Sequence, residues 1–155
     1  MEQQYGEPIN ARTDHGCFGC GGLNPAGLHL RFYRSGDDVV TTFTPGPAHE
    51  GYNGMVHGGI VSTLLDEAMS WAIIDLGKLV VTGRMTIEFR RPVPIGRPVN
   101  VRAHVARDRS RAAETYGDVR DQDGALLASA TALFVRAPEP LQEEWRANYF
   151  NQSAD

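Results

Sequence analysis

The chain has 155 residues, of which 41% are hydrophobic and 22% are charged, and its formal net charge is −4. This length suits one domain with a substantial core, and the composition is ordinary for a soluble globular protein. The negative charge argues against a general nucleic-acid binder, and no run approaches the roughly 18 apolar residues that span a bilayer. Because there are two cysteines and no signal-peptide pattern at the start, we expect a cytoplasmic protein.

The N-terminal part is predicted to be a flexible arm over residues 1–14, followed by a turn-rich segment, HGCFGCGGLNPAG, that begins at His15. Cys17 and Cys20 in this segment form a C-x-x-C pair. One such pair is half of a structural zinc site, and the sequence contains no second pair, so we expect buried thiols and no metal. A redox role is less favoured, because no βαβ unit surrounds the pair.

Alternating apolar and polar residues then predict a β-hairpin. Leu28, Leu30 and Phe32 alternate with more polar residues, a turn follows at 35–38, and a second strand is predicted over 39–44.

The central stretch, 53–77, begins as a glycine-rich turn, passes through His57-Gly58-Gly59 and continues as an apolar segment from about residue 60. Bulky residues cover most of its circumference, which predicts a long helix enclosed by the rest of the fold. Its polar residues fall on two neighbouring lines at helical spacing, one formed by Ser62, Asp66 and Ser70 and the other by Thr63 and Glu67.

Two interpretations of this polar stripe are open. It is either a solvated helix face, as most such stripes are, or one wall of a reactive pocket. The Gly-Gly helix start favours the second interpretation, because free backbone N–H groups and the positive end of the helix dipole lie there. Such N–H groups can hold a developing oxyanion while a carboxylate attacks or activates water.

After the helix, alternation predicts four further strands, near 85–90, 99–105, 112–120 and 125–135, and then a short C-terminal helix and tail over 138–155. Because the strands do not alternate with helices, the class is α+β with a mostly antiparallel sheet. A curved sheet wrapped around the long central helix would cover its apolar surface. The main domain is predicted to span 15–137.

The H-G-G turn followed by an acid nine positions after the histidine, here His57 and Asp66, resembles the hotdog-fold acyl-CoA thioesterases of the PaaI/THEM4 type. The resemblance extends to the later strands, 82–96 and 123–134, and to the segment 17–28, which resembles the opening of one branch of the family. About 120 residues are covered, far more than one motif. The resemblance implies a hotdog fold and hydrolysis of a small-to-medium or aryl acyl-CoA thioester.

The resemblance also implies roles for individual residues, at active sites that lie between the subunits of a homodimer or of a dimer-of-dimers tetramer. Gly58 would supply the N–H that polarises the thioester carbonyl, and His57 would orient that turn. Asp66 would be the nucleophile or general base, and Ser70 matches a hydroxyl that positions water in some members. No cofactor is implied beyond the coenzyme A of the substrate.

The sequence departs from the family pattern at two places. Family members often carry an amide or acid six residues before the histidine, where this chain has Gly51, so either Asn53 substitutes or the role is absent. Some members carry glutamate at the catalytic position, where this chain has Asp66 followed by Glu67. We prefer Asp66, because adjacent helix residues point about 100° apart and Asp66 shares its line with the two serines.

Substrate contacts are predicted from the same stretch and from the arginines. Fourteen of the 15 basic residues are arginine, and eight of these lie between residues 84 and 111. This cluster is either a solvated sheet face or a partial rim for the phosphates of coenzyme A, which arginine binds in a bidentate manner. The residues predicted to contact substrate are Gly59, Glu67, Arg90 and Arg91.

Three other functions compete with thioester hydrolysis. The first is a hotdog hydratase or dehydratase, for which we find no matching histidine and acid placement. The second is a non-catalytic module that binds or senses acyl-CoA. The third is a structural chain whose polar stripe is only a dimer seam, which leaves the Gly-Gly helix start unexplained.

Overall fold

The computed structural model describes residues 1–150. Its elements, in chain order, are α1 (Glu2–Tyr5), β1 (Tyr33–Ser35), β2 (Asp38–Phe43), a 3-10 turn (Pro47–His49), α2 (Gly58–Ile74), β3 (Val80–Phe89), β4 (Val99–Asp108), β5 (Ala112–Arg120), β6 (Leu126–Arg136), α3 (Glu139–Trp145) and a π-helical turn (Arg146–Phe150).

The six strands form one sheet in the order β1-β2-β4-β5-β6-β3, and every neighbouring pair is antiparallel. Helix α2 packs across one face, mainly against β4 and β5. The predicted α+β class and hotdog arrangement are therefore confirmed. No helix in the described part of the chain has the length and hydropathy needed to cross a membrane.

Helix α2 is the centre of the core, as its apolar circumference predicts. At Gly117 of β5 the helix and sheet approach so closely that a Cβ would lie 3.1 Å from Met69 Cγ. The absence of a side chain at that position lets the helix lie directly on the sheet. The buried residues of α2 are Val61, Leu64, Leu65, Ala68, Met69, Trp71, Ala72 and Ile73.

Strand β3 forms one edge of the sheet and lies largely on the surface. Its pairing with β6 skips one residue at Gly83, between Thr82 and Arg84, which is a β-bulge. Bulges change the direction of the neighbouring side chains and increase the local twist. Two large apolar side chains of β3 remain exposed, Val81 by 48% and Phe89 by 57%.

The predicted strand over 28–33 is shorter than expected. Leu28, Leu30 and Phe32 are buried in alternation, but regular strand pairing begins only at Tyr33. The N–H groups of Leu28 and Leu30 donate instead to the carbonyls of residues 18 and 19 in the cysteine-containing turn. His29 also has a positive φ of 52°, which interrupts an extended strand.

The segment predicted as an N-terminal arm makes specific contacts near its end. Asn10 is buried, and its amide donates to Leu30 O at 2.8 Å and accepts from Phe32 N at 2.9 Å. The boundaries at residues 14 and 137 stay predictions. Helix α3 lies where a short C-terminal helix was predicted, and the last five residues of that predicted tail lie outside the described residues.

Candidate active site

The start of α2 is capped by the ring of His57. The Nδ1 atom accepts a hydrogen bond of 2.8 Å from Gly59 N–H, so the proton of the neutral ring lies on Nε2. The N–H of Gly58 has no acceptor among residues 1–150. It is therefore available at the positive end of the helix dipole, as an oxyanion donor must be.

A cavity of about 650 Å³ lies beside this helix start. A hydrogen bond of 2.8 Å from Val56 N to Val93 O holds the turn against the segment that follows β3. A second bond of 2.8 Å, from His57 N to His49 O, holds it against the preceding 3-10 turn. The turn, the first residues of α2 and the end of β3 thus share one wall. Among the lining residues are Gly51, His57, Gly58, Phe89, Arg90 and Arg91.

The charges at the rim of this cavity are mainly positive. Arg90 and Arg91 are exposed there, and Arg90 forms an ion pair with Glu88 at 2.6 Å. Glu50 is the acid in the wall, and its Oε1 accepts from Gly54 N–H at 2.5 Å. Together with the helix dipole, the two guanidinium groups favour an anionic ligand.

Asp66 lies two turns along α2 from this helix start and does not line the cavity. Its separation of eight residues from Gly58 corresponds to about 12 Å along the helix axis. The Oδ1 atom accepts a short hydrogen bond, 2.6 Å, from Thr82 Oγ1 on β3. Partial burial raises the pKa of Asp66, and the hydrogen bond from Thr82 acts in the opposite direction.

The remaining hydroxyls and the asparagine of the predicted site lie apart from the cavity. Ser62 donates to Gly58 O at 2.8 Å, which satisfies its hydroxyl within the helix. Ser70 is partly exposed on the same line as Asp66. Its hydroxyl has no hydrogen-bond partner in the described part of the chain. Asn53 is exposed in the preceding turn and is not among the lining residues.

Glu67 points in a different direction from Asp66, as the helical phase predicts. Its Oε1 accepts from Trp71 Nε1 at 3.3 Å and lies 3.6 Å from Cys17 Sγ. Burial raises the pKa of Glu67 to about 7. A hydrogen bond from Cys20 lowers the pKa of the Cys17 thiol to about 5. The predicted substrate contact through Glu67 therefore has no support in this placement.

Three further residues of the site were not singled out from the sequence: Thr82, Phe89 and Glu50. Thr82 and Phe89 lie at opposite ends of β3, where the strand meets Asp66 and Gly58 respectively. Their positions follow from the antiparallel course of the helix and this strand, which no local pattern reveals. Glu50 lies next to Gly51, the position at which the sequence departs from the family pattern. The sequence shows it only as an acid close to the H-G-G motif.

The chain is similar to known thioesterases in sequence and in fold. A model of the thioesterase superfamily matches residues 53–128, which include the helix start, α2 and β3. The acyl-coenzyme A thioesterase THEM4 of Xenopus laevis is 32% identical over 110 residues, covering 70% of this chain and 50% of that protein. The chain thus spans about half the length of this relative.

Solved structures share the fold. A thioesterase superfamily protein of 29% identity superposes with a TM-score of 0.69 over 72% of this chain and 56% of its own. The E. coli PaaI protein, 21% identical, gives 0.67 over 72% and 81%. A hypothetical thioesterase from Streptococcus pneumoniae, solved with coenzyme A and 20% identical, gives 0.66 over 70% and 88%.

The two last structures show the fold alone, whereas the family match spans residues 53–128 of this chain, which contain the H-G-G turn and the acid on α2. On this evidence the chain belongs to the hotdog-fold thioesterase superfamily.

Proposed function

We propose that this chain hydrolyses an acyl-CoA thioester to the free acid and coenzyme A. The observation that carries the proposal is the free N–H of Gly58, at the positive end of a helix that lines a cavity with two arginines at its rim. The second required group is the carboxylate of Asp66, held by Thr82. The thioesterase names of the family and of the relative support the same reaction.

The distance between these two groups within one chain leads us to propose a homodimer. Strand β3 is a ten-residue edge strand with exposed apolar side chains, which is a surface suited to pairing with another strand. Two copies of β3 joined antiparallel around a two-fold axis would form one continuous sheet. A further pairing of dimers into tetramers is compatible with this arrangement.

Such a dimer would bring the two catalytic groups together. Along β3, Thr82 marks the end near Asp66 and Phe89 marks the end near Gly58. Antiparallel pairing centred on the strand places the Thr82 end of one copy opposite the Phe89 end of the other. Each Asp66 would then face the cavity that contains the partner's Gly58, which gives two equivalent sites per dimer.

The chemistry requires few groups, because a thiolate is a good leaving group. Asp66 acts as the base that takes a proton from water, or as the nucleophile, and the carbonyl carbon of the thioester is attacked. The N–H of Gly58 stabilises the oxyanion that forms. When this intermediate collapses, the carbon–sulfur bond breaks and coenzyme A leaves, taking up a proton. On the nucleophile route the acyl group is left as an anhydride with Asp66, and water then hydrolyses this anhydride to release the acid. On either route thioester and water become acid and thiol without a cofactor.

The walls of the cavity favour an apolar acyl group and a phosphorylated carrier. Phe89 exposes an aromatic face beside Gly58, with its ring 3.7 Å from where a Gly58 Cβ would lie. Arg90 and Arg91 line the cavity, and in this proposal they bind the phosphates of coenzyme A. We therefore propose small-to-medium and aryl acyl-CoA thioesters as the substrate class.

A panel of short, long and aryl acyl-CoA thioesters tests the proposal by release of free thiol. We expect turnover with at least one class, and a loss of about 10²- to 10⁴-fold in kcat for Asp66→Asn with the fold unchanged. Near-normal turnover in Asp66→Asn would remove this residue from the mechanism. Binding of acyl-CoA without turnover would indicate a binding module, and water addition to an enoyl thioester would indicate a hydratase.

A further inference from the structure

A second polar cluster lies outside the proposed active site. Cys17, Cys20 and Glu67 each offer one ligand atom, and these atoms all lie within 4.8 Å of one another. Cys20 is buried, whereas the other two residues are partly exposed. The cluster joins the N-terminal turn to the middle of α2, and the hydrolysis proposed above uses none of its side chains.

The backbone of the cysteine turn is tightly folded. The Gly21 N–H donates to Cys17 O at 2.9 Å, which closes the turn over the C-x-x-C pair. At Gly21 a Cβ would lie 2.3 Å from His15 O, so the tight turn requires glycine there.

The carboxylate of Glu67 is held in position against this turn. Trp71 Nε1–H donates to its Oε1, in the way that outer hydrogen bonds orient metal ligands. At Gly19 a Cβ would lie 2.4 Å from Glu67 Cδ, so only glycine lets the carboxylate approach the two cysteines. Three residues with no direct ligand role of their own therefore shape the cluster: Gly19, Gly21 and Trp71.

The separation of the Cys17 sulfur and the Glu67 carboxylate oxygen fits one edge of a tetrahedral metal site. With Zn–S near 2.3 Å and Zn–O near 2.0 Å, the sulfur-to-oxygen edge of a tetrahedron is about 3.5 Å. The distance from Cys17 Sγ to Glu67 Oε1 is 3.6 Å. A disulfide would instead draw the two sulfurs to about 2.05 Å of each other and leave the carboxylate without a role.

We propose that Cys17, Cys20 and Glu67 bind one Zn²⁺ ion, with a water molecule as the fourth ligand. The sequence predicted no metal because the C-x-x-C pair lacks a second pair, and the structure supplies the third ligand from α2. His15 is not a ligand, because its Nδ1 accepts from Cys17 N–H at 3.4 Å and its Nε2 lies 3.2 Å from Arg12 O. The ion would tie the N-terminal turn to the helix that carries Asp66.

The test uses the full chain, purified under reducing conditions with any affinity tag removed. We expect one zinc per chain by elemental analysis after dialysis against Zn²⁺, and a thiolate-to-metal charge-transfer band in the near ultraviolet when Co²⁺ replaces zinc. Cys17→Ser and Cys20→Ser should each abolish stoichiometric zinc. Glu67→Gln should weaken Zn²⁺ affinity by at least about tenfold.

Asp66→Asn is the matched control, because it removes the adjacent carboxylate of the same helix and should leave zinc affinity unchanged. Should a cysteine variant fail to fold, Glu67→Gln and the cobalt band of the wild-type chain decide the question. A chain that binds no zinc, or binds it equally well without either sulfur, overturns the proposal. If thiol titration finds neither cysteine free and the chain binds no zinc, the two cysteines form a disulfide and the proposal is overturned. None of these readouts depends on thioester hydrolysis.

Discussion

The carboxylate of Asp66 and the hydroxyl of Thr82 form the 2.6 Å hydrogen bond that joins α2 to the edge strand β3. The bulge at Gly83 lies directly after this threonine, at the place where the strand changes its pairing with β6. A donor fixed in this way holds the carboxylate in one orientation and stabilises its ionised form. Thr82 therefore acts as a positioning residue for the proposed base.

Replacing Thr82 by valine should lower kcat by about 10- to 100-fold, the usual effect of losing a hydrogen bond to a charged group. Since the bond lowers the pKa of Asp66, its loss raises that pKa, and the acidic limb of the kcat profile should move to higher pH. Thr82→Ser keeps the hydroxyl, so its kcat and the acidic limb of its pH profile should stay close to those of the wild type. A kcat and a pH profile that match wild type in Thr82→Val would contradict this role.

Gly58 offers a clean test of the oxyanion donor. Gly58→Pro removes the N–H at the first helical position, where proline is well tolerated, and the ψ of 136° at His57 suits a residue before proline. We expect kcat to fall by about 10²- to 10³-fold. Gly58→Ala retains the N–H, and its Cβ would meet only the Phe89 ring at ordinary contact distance.

Gly58→Ala should therefore stay near the wild-type rate, and thermal melting should show that both variants are folded. Equal rates for the proline and alanine variants would show that this N–H does not act on the substrate.

A site shared between subunits predicts complementation between two inactive variants. When Asp66→Asn and Gly58→Pro chains are co-expressed, a mixed dimer has one site with both groups intact and one site with neither. If subunits pair at random, activity should recover to about a quarter of the wild-type value. Recovery would be absent if both groups served a site within one chain. Purification through a different affinity tag on each variant checks that the mixed dimers form.

Arg91 should act on the carrier rather than on the acyl group. Arg91→Ala is expected to raise KM for acyl-CoA about three- to tenfold, the range for one exposed charge contact, with little change in kcat. A thioester of pantetheine, which lacks the nucleotide phosphates, should show no such change. Arg109→Ala removes an exposed arginine outside the cavity and serves as control. An equal rise in KM for both thioesters would assign Arg91 to another part of the ligand.

Much of the fold could be predicted from local patterns. The apolar circumference of residues 60–76 predicted an enclosed helix, and α2 has eight buried residues and lies across the sheet. Alternation placed the four later strands close to their observed positions. It failed at 28–33, because burial there alternates while the backbone hydrogen bonds go to the cysteine turn.

The helix phase also separated Asp66 from Glu67, which point to β3 and to the cysteines respectively. This distinction follows from 3.6 residues per turn and needs no tertiary contact. The sequence by itself thus determined the long enclosed helix, the free amide at its H-G-G start and which acid shares a line with the serines.

Only the tertiary structure decided what each acid meets. Thr82 is 16 residues from Asp66, and Cys17 is 50 residues from Glu67. Such pairs depend on how the helix is rotated and shifted against the sheet and the N-terminal turn, which is set by packing of the whole core. Periodicity decides which residues share a face of one helix or strand. Which other element that face contacts depends on packing between segments that are far apart in the chain.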